Sequence, residues 1–327
     1  MDEYEPVYEE PAYEQAWRPE PELPPARPRF SRIGWAFMLM IIVQQGGGAL
    51  VILAAHALRP ALTANSWFLI CATFLPLYLL GLPLFLAVIR KLPDLRAGTK
   101  ARILPGEFVM LFFASMAASY VLNLLSLWLT SLIGGLKGGE VTNLLGDMVE
   151  NSDPWALLLF AVVLAPVFEE LVFRWLLYKK LSAYGAKTYV LFSALVFALY
   201  HGNLNQMFYA FVLGLALGWL TYCTGNIRAS VTLHLLVNLT GSCMPLLLRL
   251  PFFNREDQLP LLAYGGMLLA MCITGLLSAV VLYSRRRAFA MPAGLYPPPP
   301  GKAVFGNAGM VVLLAAMTAL TAYMVMV

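Results

Sequence analysis

Two adjacent glutamates, an arginine, two histidines and an asparagine fall inside apolar stretches of this sequence. Ionisable and strongly polar side chains are costly in hydrocarbon and by default mark function there. The first group lies in Ala165-Pro-Val-Phe-Glu-Glu-Leu-Val-Phe-Arg174, the second closes Phe197-Ala-Leu-Tyr-His201, and the third opens His234-Leu-Leu-Val-Asn238. On an α-helix Glu170 and Arg174, four residues apart, share a face and can neutralise each other. Glu169 is rotated by about 100° from its neighbour and has no partner at that spacing. A carboxylate left without a counter-ion is placed to take and return a proton. His234 and Asn238 again share one helix face. At about 1.5 Å per residue from the predicted helix ends, Glu169, His234 and His201 lie roughly 16, 10 and 20 Å deep.

Each group has a plainer reading. A lone His or Asn in a membrane helix is usually interhelical glue, and two glutamates with an arginine can be a structural ion pair. Glu169, Glu170 and Arg174 are the only Asp, Glu, Lys or Arg residues well inside a predicted span. Their concurrence with the histidines on successive helices favours one shared cavity with walls from the fourth to seventh spans. His56, at the end of the first span, reads as an ordinary terminal residue. Gln44, Gln45 and Gly46 to Gly48 interrupt that span and read as a packing notch or a helix break. Gly214 and Gly218 form a pair that lets the sixth span approach a neighbour closely.

The elements that must position these residues follow from composition. Of 327 residues, 60% are hydrophobic and 12% charged, against roughly a quarter charged in a soluble domain. Runs of about 20 apolar residues, the length that crosses a bilayer core, recur from Ile33 onward. The predicted fold is an all-α polytopic transmembrane bundle of about nine spans, near 33–57, 67–89, 107–134, 154–179, 188–201, 204–223, 227–248, 260–284 and 305–327. Residues 1–32 carry eight acidic residues and seven prolines and read as a disordered cytoplasmic tail. The acidic start excludes a secretory signal peptide. The division expected is this tail, N-terminal spans 33–153, a catalytic helical core 154–250 and C-terminal spans 251–327. Cys71, Cys223, Cys243 and Cys272 lie in separate apolar runs without metal spacing and read as packing residues.

Lys and Arg set the orientation. Seventeen lie in the tail and the alternate connections that share its side, and four in the others. That bias places the N-terminus in the cytoplasm and the C-terminus outside. The net charge of +4 comes from these helix ends, so no nucleic-acid partner is expected. Membrane lipid is the expected partner, in a membrane crossed many times.

The Glu-Glu-xxx-Arg of 169–174, the Phe-xxx-His of 197–201 and the His-xxx-Asn of 234–238, in this order, resemble the CPBP intramembrane proteases, the CAAX-protease and bacteriocin-processing (abortive-infection) family. The likeness covers about residues 154–245. It implies a peptide-bond hydrolase of a bacterial cell membrane acting on a peptide or lipidated protein substrate, with catalytic residues Glu169, Glu170, Arg174, His201, His234 and Asn238. In that scheme Glu169 and His201 activate water, while His234 and Asn238 stabilise the oxyanion. Members are often labelled metalloproteases. Glu169, His201 and His234 with a water would make a four-ligand zinc site, whereas a metal-free glutamate mechanism uses the same residues. The cofactor expected is therefore none or a single divalent metal such as zinc. No intramembrane aspartate pair or Gly-x-Ser-Gly supports another protease chemistry. Two readings from other classes compete: a catalytically silent scaffold or bacteriocin-immunity protein of the same fold, and a proton-coupled transporter.

Overall fold

The computed structural model describes residues 25–96, 101–139, 141, 143, 146–147, 151–247, 258–285 and 292–326. The predicted tail, up to residue 24, and the Cys243 side chain lie outside the described residues. Among the described residues nine principal helices run in order: α1 Ala26–Leu58, α2 Ser66–Ile89, α3 Pro105–Lys137, α4 Pro154–Tyr184, α5 Ala186–Tyr200, α6 Leu204–Thr224, α7 Arg228–Leu247, α8 Gln258–Ser284 and α9 Ala308–Met326. Short helical turns at Pro60–Ala64 and Gly301–Phe305 complete them. The chain is all-α, with no strand among the described residues.

Among the described residues seven helices are long and apolar enough to cross a membrane: α1 to α4, α6, the Leu261–Ser284 part of α8, and α9. Two of the nine predicted spans fall outside that set. Helix α5 has 15 residues, too short for a core that takes about 20, and α7 is the other. Helix α1 begins at Ala26 rather than near Ile33. Arg29 explains the difference: its guanidinium donates to Pro93 O and Lys180 O at 2.9 and 3.1 Å. These bonds hold the last residues of the expected tail against folded structure.

The outer surface is that of a protein dissolved in lipid. Leu261, Leu269, Leu276, Leu277 and Val280 of α8 each leave at least 60% of their surface uncovered. An apolar surface of that extent is not stable in water, so the chain is an integral membrane protein. Helix α3 packs between α6 and α8, α5 pairs with α6, and α1 lies between α2 and α9. Gly214 and Gly218 meet Ala194 and Val190, which is how α6 lies close to α5.

On the basic side the connections are laced together by backbone bonds. Leu95 N–H donates to Lys179 O at 2.7 Å, Ala183 N–H to Leu95 O at 3.0 Å and Tyr296 N–H to Ala183 O at 3.0 Å. Lys180 Nζ reaches Leu92 O and, at 2.7 Å, Asp94 Oδ1. The segments after α2, after α4 and before α9 thus form one layer that fixes the end of α4.

Candidate active site

Helix α4 is not a regular α-helix where the glutamates lie. Stretches of π-helix at Leu158–Leu164 and Glu170–Leu176 flank the α-helical Ala165–Glu169. Bonds from i to i+5 widen the helix and recur at functional sites. Proline contributes to the first stretch: Ala165 N–H bonds to Phe160 O in the i to i+5 pattern, but Pro166 has no N–H for Ala161 O. Asn238 Nδ2 donates to that carbonyl instead, at 3.0 Å. In the second stretch α5 provides the donors, with Tyr189 OH on Arg174 O at 3.1 Å and Ser193 Oγ on Phe173 O at 2.7 Å.

Glu170 and Arg174 are both fully buried, with Arg174 Nε 3.5 Å from Glu170 Oε1. The guanidinium also lies over the Phe197 ring, 4.2 Å from its centroid. The same Glu170 oxygen is 3.1 Å from His234 Nδ1. The other ring nitrogen, Nε2, faces Glu169 Oε2 at 3.6 Å. One buried imidazole therefore stands between the two carboxylates, an arrangement that helical spacing did not foretell. Glu169 is the more open of the pair, with 27% of its side chain exposed.

His201 follows the last residue of α5, and its Nδ1 is 2.8 Å from Phe197 O. A carbonyl only accepts, so Nδ1 carries the proton and Nε2 is the free base. The ring also meets the Phe197 face edge-on, with centroids 4.8 Å apart. Immediately after it Gly202, at φ 63°, turns the chain. Asn203 then caps α6, accepting from Gln206 N–H at 2.9 Å and donating to His201 O at 3.0 Å. With its ring held by the Phe197 carbonyl and its own carbonyl held by the Asn203 side chain, His201 has little freedom to leave the site.

Glu169, His201, His234 and Asn238 line one cavity of about 390 Å³. Its walls extend beyond α4 to α7: Gln44 and Gln45 of α1, Tyr78 of α2 and Ser119, Tyr120 and Asn123 of α3 also line it. The glutamines read as a packing notch thus face the cavity, and Gln44 Oε1 accepts from Tyr200 OH at 2.8 Å. The α2 and α3 residues went unnoticed in the sequence. Single hydroxyls and amides within apolar runs look like interhelical glue until the helices are placed.

The donor set does not make a metal centre. Among the described residues no three His, Cys, Asp or Glu side chains group closely enough to hold a metal ion. Glu169 and His234 are close to each other, but Glu169, His201 and His234 do not form the three-ligand cluster that zinc takes. The zinc reading therefore has no support in this geometry, and no step below runs through a metal. Cys71, Cys223 and Cys272 are free thiols.

No characterised protein and no solved structure gave a match. Residues 151–240, which contain every charged and polar side chain singled out on α4, α5 and α7, match the family model described as Type II CAAX prenyl endopeptidase Rce1-like. That match, over residues 151–240 of the 327, is consistent with the CAAX-protease group that the motifs resemble.

Proposed function

We propose that this protein is an intramembrane endopeptidase that cleaves a membrane-associated peptide or lipidated protein with a water activated by Glu169. The observation that carries the reading is His234 set between the two glutamates in the wall of a cavity that also holds His201. Glu170, compensated by Arg174, accepts the Nδ1–H of His234 and fixes the ring so that Nε2 points toward Glu169. Glu169 and the free Nε2 of His201 are the bases available to a water in the cavity.

Glu169 takes a proton from water as the oxygen attacks the scissile carbonyl carbon. Negative charge collects on the carbonyl oxygen, which accepts from the second N–H of Asn238, whose first is engaged by Ala161 O, and from His234 Nε2–H with the ring protonated at both nitrogens, since Nδ1–H is already given to Glu170. Collapse breaks the C–N bond, and the proton returns to the leaving amine. The 3.6 Å between Glu169 and His234 is longer than a hydrogen bond, as catalytic contacts often are before substrate binds.

The charge bias supports a cytoplasmic N-terminus, an external C-terminus and a site opening toward the cytoplasmic side. Cysteines introduced along the cavity wall should react with an impermeant reagent from that side; labelling only from outside would reverse the orientation. The activity itself is tested with purified protein on a farnesylated peptide ending in a CAAX sequence and on its unprenylated counterpart, with and without chelator. Cleavage by wild type and none by Glu169→Ala is expected. Cleavage of equal rate by both would end the carboxylate reading.

A further inference from the structure

The family match begins at residue 151, yet a large part of the cavity wall comes from helices before it. Three residues that line the cavity carry a buried hydroxyl oxygen with no hydrogen-bond partner in the protein: Tyr78 Oη, Ser119 Oγ and Tyr120 Oη. Buried hydroxyls in folded proteins are nearly always paired, and an unpaired one calls for an explanation. Tyr78 is the clearest case. It is 9% exposed, begins the second position of a π-helical stretch at Leu77–Gly81, and stacks on Phe168 with ring centroids 4.0 Å apart. Phe168 adjoins Glu169 in the chain, so the stack keeps the Tyr78 ring beside the proposed catalytic carboxylate.

We infer that Tyr78, Ser119 and Tyr120 bind the substrate, donating to the main-chain carbonyls of a peptide drawn through the cavity past Glu169. The inference rests on the peptidase reading and assigns α2 and α3 as its recognition wall. Two observations favour main-chain groups as the target. Among the described residues the cavity lining has no Lys or Arg to bind an anionic side chain, and its polar groups beyond the catalytic residues are neutral hydroxyls and amides set among apolar side chains. A peptide leaving lipid or water must also have its carbonyls satisfied. Donors left unpaired by the protein's own fold are then paired when substrate is present, which is how a site distinguishes a bound chain from none.

Removing each hydroxyl tests this with little disturbance, because no internal hydrogen bond is lost. In Tyr78→Phe, Ser119→Ala and Tyr120→Phe, KM for the farnesylated or unprenylated peptide should rise about three- to tenfold, the effect of one hydrogen bond. Thermal stability should stay level or rise. Peptide binding to Glu169→Gln protein, read as a thermal shift without turnover, should weaken when Tyr78→Phe is added. Unchanged KM and binding in all three variants would overturn the inference while leaving the peptidase reading intact. Activity lost only in step with stability would overturn it too, as the mark of a packing role. Undiminished cleavage by Glu169→Gln itself would instead sink the reading on which it rests.

Discussion

His234 and Glu170, 64 residues apart in sequence, meet at 3.1 Å through Nδ1 and Oε1. Because Glu170 also faces Arg174 at 3.5 Å, one carboxylate oxygen joins a helix-internal ion pair to a ring on another helix. The two adjacent glutamates thereby acquire different surroundings: Glu170 is sealed among partners, while Glu169 opens to the cavity.

Exchange of each glutamate should separate these roles. Glu169→Gln keeps shape and removes the base, so thermal stability should stay near wild type while turnover falls about 10²-fold or more. Glu170→Gln leaves Arg174 buried without its counter-charge, and stability should fall by about 3 to 5 kcal/mol. Melting temperature and turnover measured on both proteins decide the matter. A well-folded but inactive Glu170→Gln beside a fully active Glu169→Gln would reverse the assignment.

Asn238 is expected to act partly through α4. Asn238→Leu removes the donor to Ala161 O where Pro166 offers no N–H, leaving a carbonyl unpaired at a cost of about 1 to 3 kcal/mol. Asn238→Asp removes the same donor and should destabilise comparably. If both variants lost turnover with unchanged melting temperature, the amide would serve the oxyanion alone.

At the basic face, burial would raise the Asp94 carboxyl, but its bond to Lys180 and the charges of Lys180 and Arg96 hold it below the usual range. A carboxylate depressed in the folded state stabilises above its unfolded value, near 3.9, and that contribution disappears as pH falls through the folded value. Wild type should therefore melt higher than Asp94→Asn at pH 7. The difference should shrink as the pH is taken below about 4. A gap that persisted or widened on acidification would show that the Lys180 contact works by packing rather than charge.

What could be read from the sequence was whatever depends on local spacing. Apolar run length gave the helices, and the rarity of charge in them pointed to Glu169, Glu170 and Arg174. The depths of roughly 16, 10 and 20 Å assumed regular helices, and α4 departs from that with two π-helical stretches. Its widened turns and the abrupt end of α5 bring His201 and Glu169 to one cavity. The His234 position between both carboxylates depends on how α7 packs against α4, which no spacing within one segment encodes. Tyr78, Ser119 and Tyr120 were illegible for the same reason, since only placed helices reveal a hydroxyl without a partner.

The turn that follows His201 offers the most stringent test of positioning. Gly202 adopts φ 63°, a left-handed conformation that costs other residues about 1 to 2 kcal/mol, and a Cβ there would meet Leu320 Cδ2 at 2.6 Å. Gly202→Ala thus combines a backbone cost with a steric one. It should lower stability by more than 1 kcal/mol and reduce turnover by displacing His201, whose carbonyl accepts from Asn203 across the same turn. Leu320→Ala in the same protein removes the atoms that clash but not the backbone cost. Gly202→Ala/Leu320→Ala should therefore recover part of the turnover lost by Gly202→Ala, even though the Leu320 change alone is destabilising. Strictly additive effects on turnover would mean that Leu320 and Gly202 do not share the contact, and full activity in Gly202→Ala would mean that the turn does not position His201.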